Sequence, residues 1–152
     1  MVQGKWFAPG EDISVLLPVR QSVFGRGYDP MDAESWNVLV YQDTVPAAAG
    51  RIWWKDGAFW LGDLCVLNHY RGQRLGDLIL RLLLYKAQSH SAREVRLICP
   101  LSVAGFFARL GLREEVFLYD SDSVEMMIPG DQIDLDTCSH CLKQNCPNRQ
   151  PG

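Results

Sequence analysis

The spacing of apolar residues changes period along the chain, and each change marks an element. Gly4 to Phe7 reads as a short strand, broken by Pro9 and Gly10. Ile13, Leu16, Leu17, Arg20, Val23 and Phe24 then recur at helical spacing, with Glu11 and Asp12 suited to a first turn. Pro18 inside that pattern predicts a kink or a late start. Residues 25–35 read as a loop with one helical turn. Trp36 to Tyr41, Ala47 to Trp54 and Ala58 to Val66 read as three strands of an antiparallel meander. Gln42 to Pro46 is the first turn, and Asp56-Gly57 supplies hairpin chemistry at the second.

After Val66 the period becomes helical. Leu75, Leu78, Ile79, Leu82 and Leu83 fall on one face, and Leu80 and Leu84 widen it, which predicts a helix packed on a sheet. Glu94 to Cys99 reads as a strand. Ser102 to Leu110 reads as a short helix stopped by Gly111, and Arg113 to Leu118 and Val124 to Ile128 read as two further strands. The order β-α-β-β-β-α-β-α-β-β predicts an α/β (α+β) fold with a mixed, mostly antiparallel sheet. A strand-helix-strand passage across residues 60–99 requires a parallel pair at its centre.

Composition narrows the function classes. A chain of 152 residues with 47% hydrophobic and 22% charged residues is long enough and apolar enough for a full core. The net charge of -3 disfavours a general nucleic-acid binder. The longest apolar stretch, Leu75 to Leu84, is interrupted by Gly76, Asp77 and Arg81, so no membrane span is expected. The first residues lack the pattern of a signal peptide, and a cytoplasmic location is the default expectation. Five cysteines, an odd number, argue against a disulfide framework.

The chemistry concentrates in the passage from Leu64 to Asp77. An apolar strand end leads through a loop with two glycines and two arginines into a helix. A helix N-terminus offers unpaired N–H groups, glycines let backbone approach a phosphate, and arginines add paired donors. The passage reads either as an anion site suited to a pyrophosphate or as a basic surface loop capping a helix.

Arg71-Gly72-Gln73-Arg74-Leu75-Gly76 resembles the acetyl-CoA loop of the GNAT N-acetyltransferases, (Gln/Arg)-x-x-Gly-x-(Gly/Ala). Downstream, Phe106-Phe107-Ala108-Arg109-Leu110-Gly111-Leu112 is similar to that family's Phe-Tyr-x-x-Leu-Gly-Phe. Val19-Arg20-x-x-Val23-Phe24 and Gly50-Arg51 resemble the small bacterial branch of ElaA and YjcF type. The resemblance spans about residues 4–128. It implies an acetyl-CoA-dependent N-acetyltransferase whose two central strands splay around the pantetheine arm. Leu64, Cys65 and Val66 would pair with that arm, and an amide near Cys65 or Val66 would polarise the thioester carbonyl. Arg71, Gly72, Gln73, Arg74, Leu75, Gly76 and Asp77 would hold the pyrophosphate, and Val103, Phe106 and Phe107 would line the thiol end.

Two positions depart from the family. Arg74 replaces the loop's first family glycine, a replacement that requires negative φ. Phe107 replaces the tyrosine assigned as the acid for the departing thiolate. A thiol pKa of about 8.5 leaves roughly 2 kcal/mol to be found at pH 7. Tyr119, and after it Ser102, are the candidate replacement acids. Asp63 is the first candidate base, with His69, Glu34 and Asp29 behind it; the other reading of Asp63 is a solvated or salt-bridged strand residue. Trp53, Trp54 and Trp60 either make the acceptor pocket aromatic or serve sheet packing. Arg20 and Arg51 either bind an acidic substrate group or pair with internal aspartates.

Residues 1–130 are expected to form the transferase-like domain, followed by an acidic, then cysteine-rich tail over residues 131–152. Cys138, Cys141 and Cys146, with His140 inside the Cys-x-x-Cys turn, suit tetrahedral zinc. Redox-active thiols and an inert tail are the other readings. The expected partners are acetyl-CoA and a primary amine on a small molecule or protein, and a homodimer is left open. A CoA-binding sensor with little catalysis is the rival to the enzyme.

Overall fold

The computed structural model describes residues 1–118 and 122–135. Seven strands form one sheet: β1 (Val2–Phe7), β2 (Trp36–Gln42), β3 (Val45–Lys55), β4 (Ala58–Val66), β5 (Glu94–Pro100), β6 (Arg113–Phe117) and β7 (Ser123–Pro129). Their spatial order is β1-β2-β3-β4-β5-β7-β6. Every neighbouring pair is antiparallel except β4–β5. Three α-helices accompany them: α1 (Leu17–Phe24), α2 (Leu75–Ser89) and α3 (Ala104–Ala108).

Local chemistry explains the boundaries. α1 starts late, with Pro18 in its first turn, where the missing N–H costs nothing. It stops at Gly25, whose φ of 72° makes a left-handed cap. Asp43 and Thr44 (φ 49° and 71°) form a two-residue turn, tighter than the expected five. Asp56 and Gly57 do the same between β3 and β4. A 3-10 turn, Pro30–Glu34, fills part of the first loop.

The sheet separates two apolar clusters. On one face, α2 buries Leu75, Ile79, Leu80, Leu83, Leu84 and Ala87 against Val38, Val40, Ile52, Leu61 and Leu97. The buried stripe thus centres on Ile79, Leu80, Leu83 and Leu84, while Leu78 and Leu82 lie at its margin. On the other face, Ile13, Leu16 and Val19 pack against Phe7, Leu39, Ala49 and Cys65. Gly50 lets α2 approach β3 closely, since a Cβ there would meet Ile79 and Leu83.

Past β7 the chain stays on the core. Ile133 is buried, Leu135 packs beside it, and their carbonyls accept from Gln88 and Arg81 of α2. Core contacts therefore run past the expected boundary at residue 130. No helix among the described residues is long and apolar enough to cross a membrane.

Candidate active site

The site begins where the sheet comes apart. β4 and β5 pair only through Phe59–Leu61 and Val95–Leu97. β4 then continues to Val66 and β5 to Pro100 with no ladder between them. Along its other edge β4 carries a bulge. Arg51 faces Gly62 and Ala49 faces Cys65, so Gly50 stands opposite both Asp63 and Leu64. Asp63 adopts φ 54° at this point. The extra residue switches the strand's faces: Leu61 belongs to the α2 cluster and Cys65 to the α1 cluster.

A cavity of about 720 Å³ occupies the opening. Its walls are β4 from Leu61 to Val66, β5 from Leu97 to Pro100, Val23, Phe24 and Arg26 near α1, and Val103, Phe106 and Phe107 near α3. A second hollow of about 600 Å³ adjoins it at the start of α2 and shares Val66, Arg71, Gly76 and Phe106 with it. Tyr70, Gly72, Arg74, Leu75, Asp77 and Arg109 complete that hollow. Of the residues expected at the cofactor, all but Gln73 line one hollow or the other.

The second hollow has the build of an anion cradle. α2 has no side-chain cap at its N-terminus, so first-turn N–H groups remain for a ligand. Gly72 (φ 83°) and Arg74 (φ 65°) shape the approach. Arg74 therefore contradicts the expected negative φ: the turn into α2 imposes a left-handed residue whichever side chain stands there. Arg71 Nε donates to the Val66 carbonyl at 3.3 Å and ties the loop to the strand end. Asp77, an anion in the first turn, is paired with Arg81 at 2.7 Å. Arg109 went unnoticed in the sequence, although it lies three positions after Phe106, on the same face of a helix.

Beside the bulge lies a cluster of three arginines and three aspartates. Arg20 forks onto Asp32 (2.7 and 3.1 Å) and reaches Asn37 Oδ1 at 3.0 Å. Arg51 contacts Asp29 at 2.9 Å and Asp32 at 3.3 Å. Asp63, 6% exposed, receives both Nη groups of Arg26. The Nε atoms of Arg20 and Arg51 lie 3.4 and 3.2 Å from Asp63 Oδ2. The Arg51 hydrogen bond holds the Asp29 carboxyl below its usual range. Burial pushes Asp32 up, but Arg20 and the Asp29 amide outweigh it and the net direction is down. Arg20 and Arg51 thus pair with internal aspartates. Both oxygens of Asp63 face guanidinium groups, an arrangement that fixes the carboxylate beside the strand bulge.

The remaining expectations sort by position. None of Trp53, Trp54 and Trp60 lines the cavity. Arg51 stacks on Trp53, Trp54 meets Phe59 edge-on, and Trp60 Nε1 donates to the Lys55 carbonyl. The aromatic wall consists of Phe24, Phe106 and Phe107 instead. His69 is exposed and meets Tyr70 edge-on; Glu34 and Ser102 are exposed and line neither hollow. Burial pushes the Cys65 thiol up to about 11 and also raises Cys99, so neither is a nucleophile at neutral pH. Tyr119, Cys138, His140, Cys141 and Cys146 lie outside the described residues. Among the described residues, no cluster of three or more His, Cys, Asp or Glu suits a metal ion.

Comparison with known proteins identifies a family and a shared fold. The acetyltransferase (GNAT) family profile matches residues 16–112. The Bacillus subtilis protein named uncharacterized N-acetyltransferase YjcF is 31% identical over 111 residues, covering 68% of this chain and 79% of that protein. The crystal structure of Escherichia coli ElaA superposes with a TM-score of 0.72 at 21% identity, over 84% of this chain and 99% of that one. An Elizabethkingia anophelis GNAT family acetyltransferase, solved with acetyl-CoA bound, superposes with a TM-score of 0.66 at 12% identity, over 84% and 97% of the two chains.

Proposed function

This chain belongs to the acetyltransferase (GNAT) family, and from that premise we propose that it transfers the acetyl group of acetyl-CoA to a primary amine of a small molecule or protein by direct attack. The reading is carried by one observation: an uncapped helix N-terminus flanked by arginines opens into a cavity between two unpaired strand ends. Such a cradle fits a long ligand with an anionic end and a thioester end. Acetyl-CoA supplies an activated acetyl group.

The chain's own residues have separate tasks. First-turn amides of α2, with Arg71, Arg74 and Arg109, hold the pyrophosphate. The unpaired edge of β4 from Gly62 to Val66 orders the pantetheine arm and aims an N–H at the thioester carbonyl. Preorganised donors of this kind are the largest single source of rate enhancement in many acyl transfers. Phe106 and Phe107 exclude water from the thiol end. Asp63, clamped by Arg20, Arg26 and Arg51, fixes the bulge and with it the direction of that edge. Water takes the proton from the amine, because the clamp leaves Asp63 no unopposed oxygen. The departing thiolate takes up a proton that the amine gives up, and Tyr119 is the candidate acid to relay it.

Phe107 and Arg74 also favour a second reading, a CoA-binding sensor. Calorimetry with acetyl-CoA and CoA, followed by thiol release across a panel of amines, separates the two. Binding and turnover support the enzyme. Binding with silence throughout the panel supports the sensor, and binding of neither ligand refutes both.

A further inference from the structure

Resting on the transferase reading, we infer that the acceptor is a primary amine on an apolar aryl or alkyl body with no anionic group. The first reason is unburied apolar surface. Phe24 is 42% exposed and Ile98 54%, and both line the same cavity. Phe24 stands at the end of α1 and Ile98 on β5, so apolar side chains from two different elements border the site. Apolar side chains left open in a cavity gain most from an apolar occupant.

The second reason is charge balance. Arg20, Arg26 and Arg51 are matched by Asp29, Asp32 and Asp63. Arg26, at the cavity wall, is held between Asp63 and the ring of Phe24, with Cζ 5.1 Å from the ring centroid. A carboxylate or phosphate on the substrate would have to draw Arg26 from Asp63 and leave that nearly buried carboxylate short of a partner. A polyamine would bring its second ammonium to a wall whose carboxylate, Asp63, is already held by guanidinium groups.

The apolar wall also assists the chemistry. Desolvation disfavours the ammonium form, so an amine lodged there sheds its proton more readily. The nitrogen then forms the amide C–N bond as the C–S bond breaks. The amine protons pass to water and to the leaving thiolate, giving an N-acetyl amine and free CoA.

The test is thiol release from acetyl-CoA with benzylamine, phenethylamine and hexylamine against spermidine, aspartate and a lysine peptide. The apolar amines should exceed the others by about tenfold or more in kcat/KM. Phe24→Ala should lower kcat/KM for phenethylamine about tenfold, with KM for acetyl-CoA unchanged. Ile98→Ser, on a different element, should do the same. Preference for aspartate, spermidine or the peptide would overturn the inference, as would unchanged selectivity in both variants. Turnover confined to spermidine, aspartate or the peptide overturns this inference alone, whereas acetyl-CoA binding with no turnover of any amine overturns the transferase reading with it. No acetyl-CoA binding overturns the transferase reading and this inference with it.

Discussion

A single methyl group at Gly50 tests whether the packing of α2 sets the anion cradle. Gly50 is not among the glycines with positive φ, so alanine fits its backbone. The added Cβ would lie 2.8 Å from Ile79 Cγ2 and 3.0 Å from Leu83 Cδ1. Apolar carbons rest about 3.5–4.0 Å apart, so α2 has to retreat by roughly 0.5–1 Å. Ile79 and Leu83 are fully buried, and Ile79 also borders the cavity between the strand ends. Overpacking of this kind costs about 1–3 kcal/mol. The stiffer unfolded chain returns about 0.4–1 kcal/mol, leaving a net loss of about 1–2 kcal/mol. At this chain length that lowers Tm by about 2–8 °C. Because the first turn of α2 is the cradle, acetyl-CoA affinity should fall about fivefold, equivalent to roughly 1 kcal/mol. Thermal unfolding followed by tryptophan fluorescence and calorimetry read the two effects. Ile79→Leu removes the Cγ2 branch, so the double variant should regain about 0.5–1 kcal/mol over the sum of the singles. A Gly50→Ala protein as stable as the parent, or strictly additive losses, would refute the packing argument.

Four further outcomes follow from the site. Arg74→Gly relieves a left-handed arginine and should raise stability by about 0.5–1 kcal/mol net of glycine's entropy while weakening acetyl-CoA several-fold; a lower Tm with tighter binding would contradict this. Phe107→Tyr should raise kcat, by up to about 10²-fold if a missing acid limits the rate, and an unchanged kcat in a stable variant counts against that cause. Cys65 should react with iodoacetamide at pH 8 roughly a hundredfold more slowly than an unfolded control, since burial leaves little thiolate; equal rates by peptide mass spectrometry would remove the burial argument. Asp29 and Asp32 are held below their unfolded-state value of 3.8, so their contribution is complete above that value and drains away as pH falls through the folded-state values. Tm should therefore hold between about pH 7 and 5 and drop below about pH 4, and a decline already present at pH 6 would mean other groups dominate.

Local rules carried most of the fold. β4 begins and ends at Ala58 and Val66 as its pattern predicts, because Asp56-Gly57 and the polar loop bound it on both sides. Pro18 announced the late start of α1. The bulge was not legible: Leu61-Gly62-Asp63-Leu64-Cys65 carries no mark that Asp63 is left-handed. The arginines that face its carboxylate lie 43, 37 and 12 positions away in the chain, at Arg20, Arg26 and Arg51. For the same reason the arrangement around Asp63 could not be read from its place on a strand. The tryptophans left two readings open because an aromatic residue on a strand looks alike in a pocket or in a sheet, and the sheet-packing reading is the one the structure bears out. Only the register, with Trp53 opposite Trp60, shows which. Arg74 was misjudged because loop closure, not side-chain preference, sets its φ.

The three-residue ladder between β4 and β5 has a bearing on cooperativity. It is the whole of the strand pairing that joins β1–β4 to β5–β7–β6. The two half-sheets otherwise meet through the core cluster they share, so strand pairing is thinnest along this seam. A ligand lodged in the opening bridges both halves and acts as a strut. At a hundred times its Kd such a ligand adds about 2.7 kcal/mol to the folded state. Hydrogen exchange across the seam should then slow more than exchange within either half, making acetyl-CoA a structural member of the sheet as well as its acetyl donor.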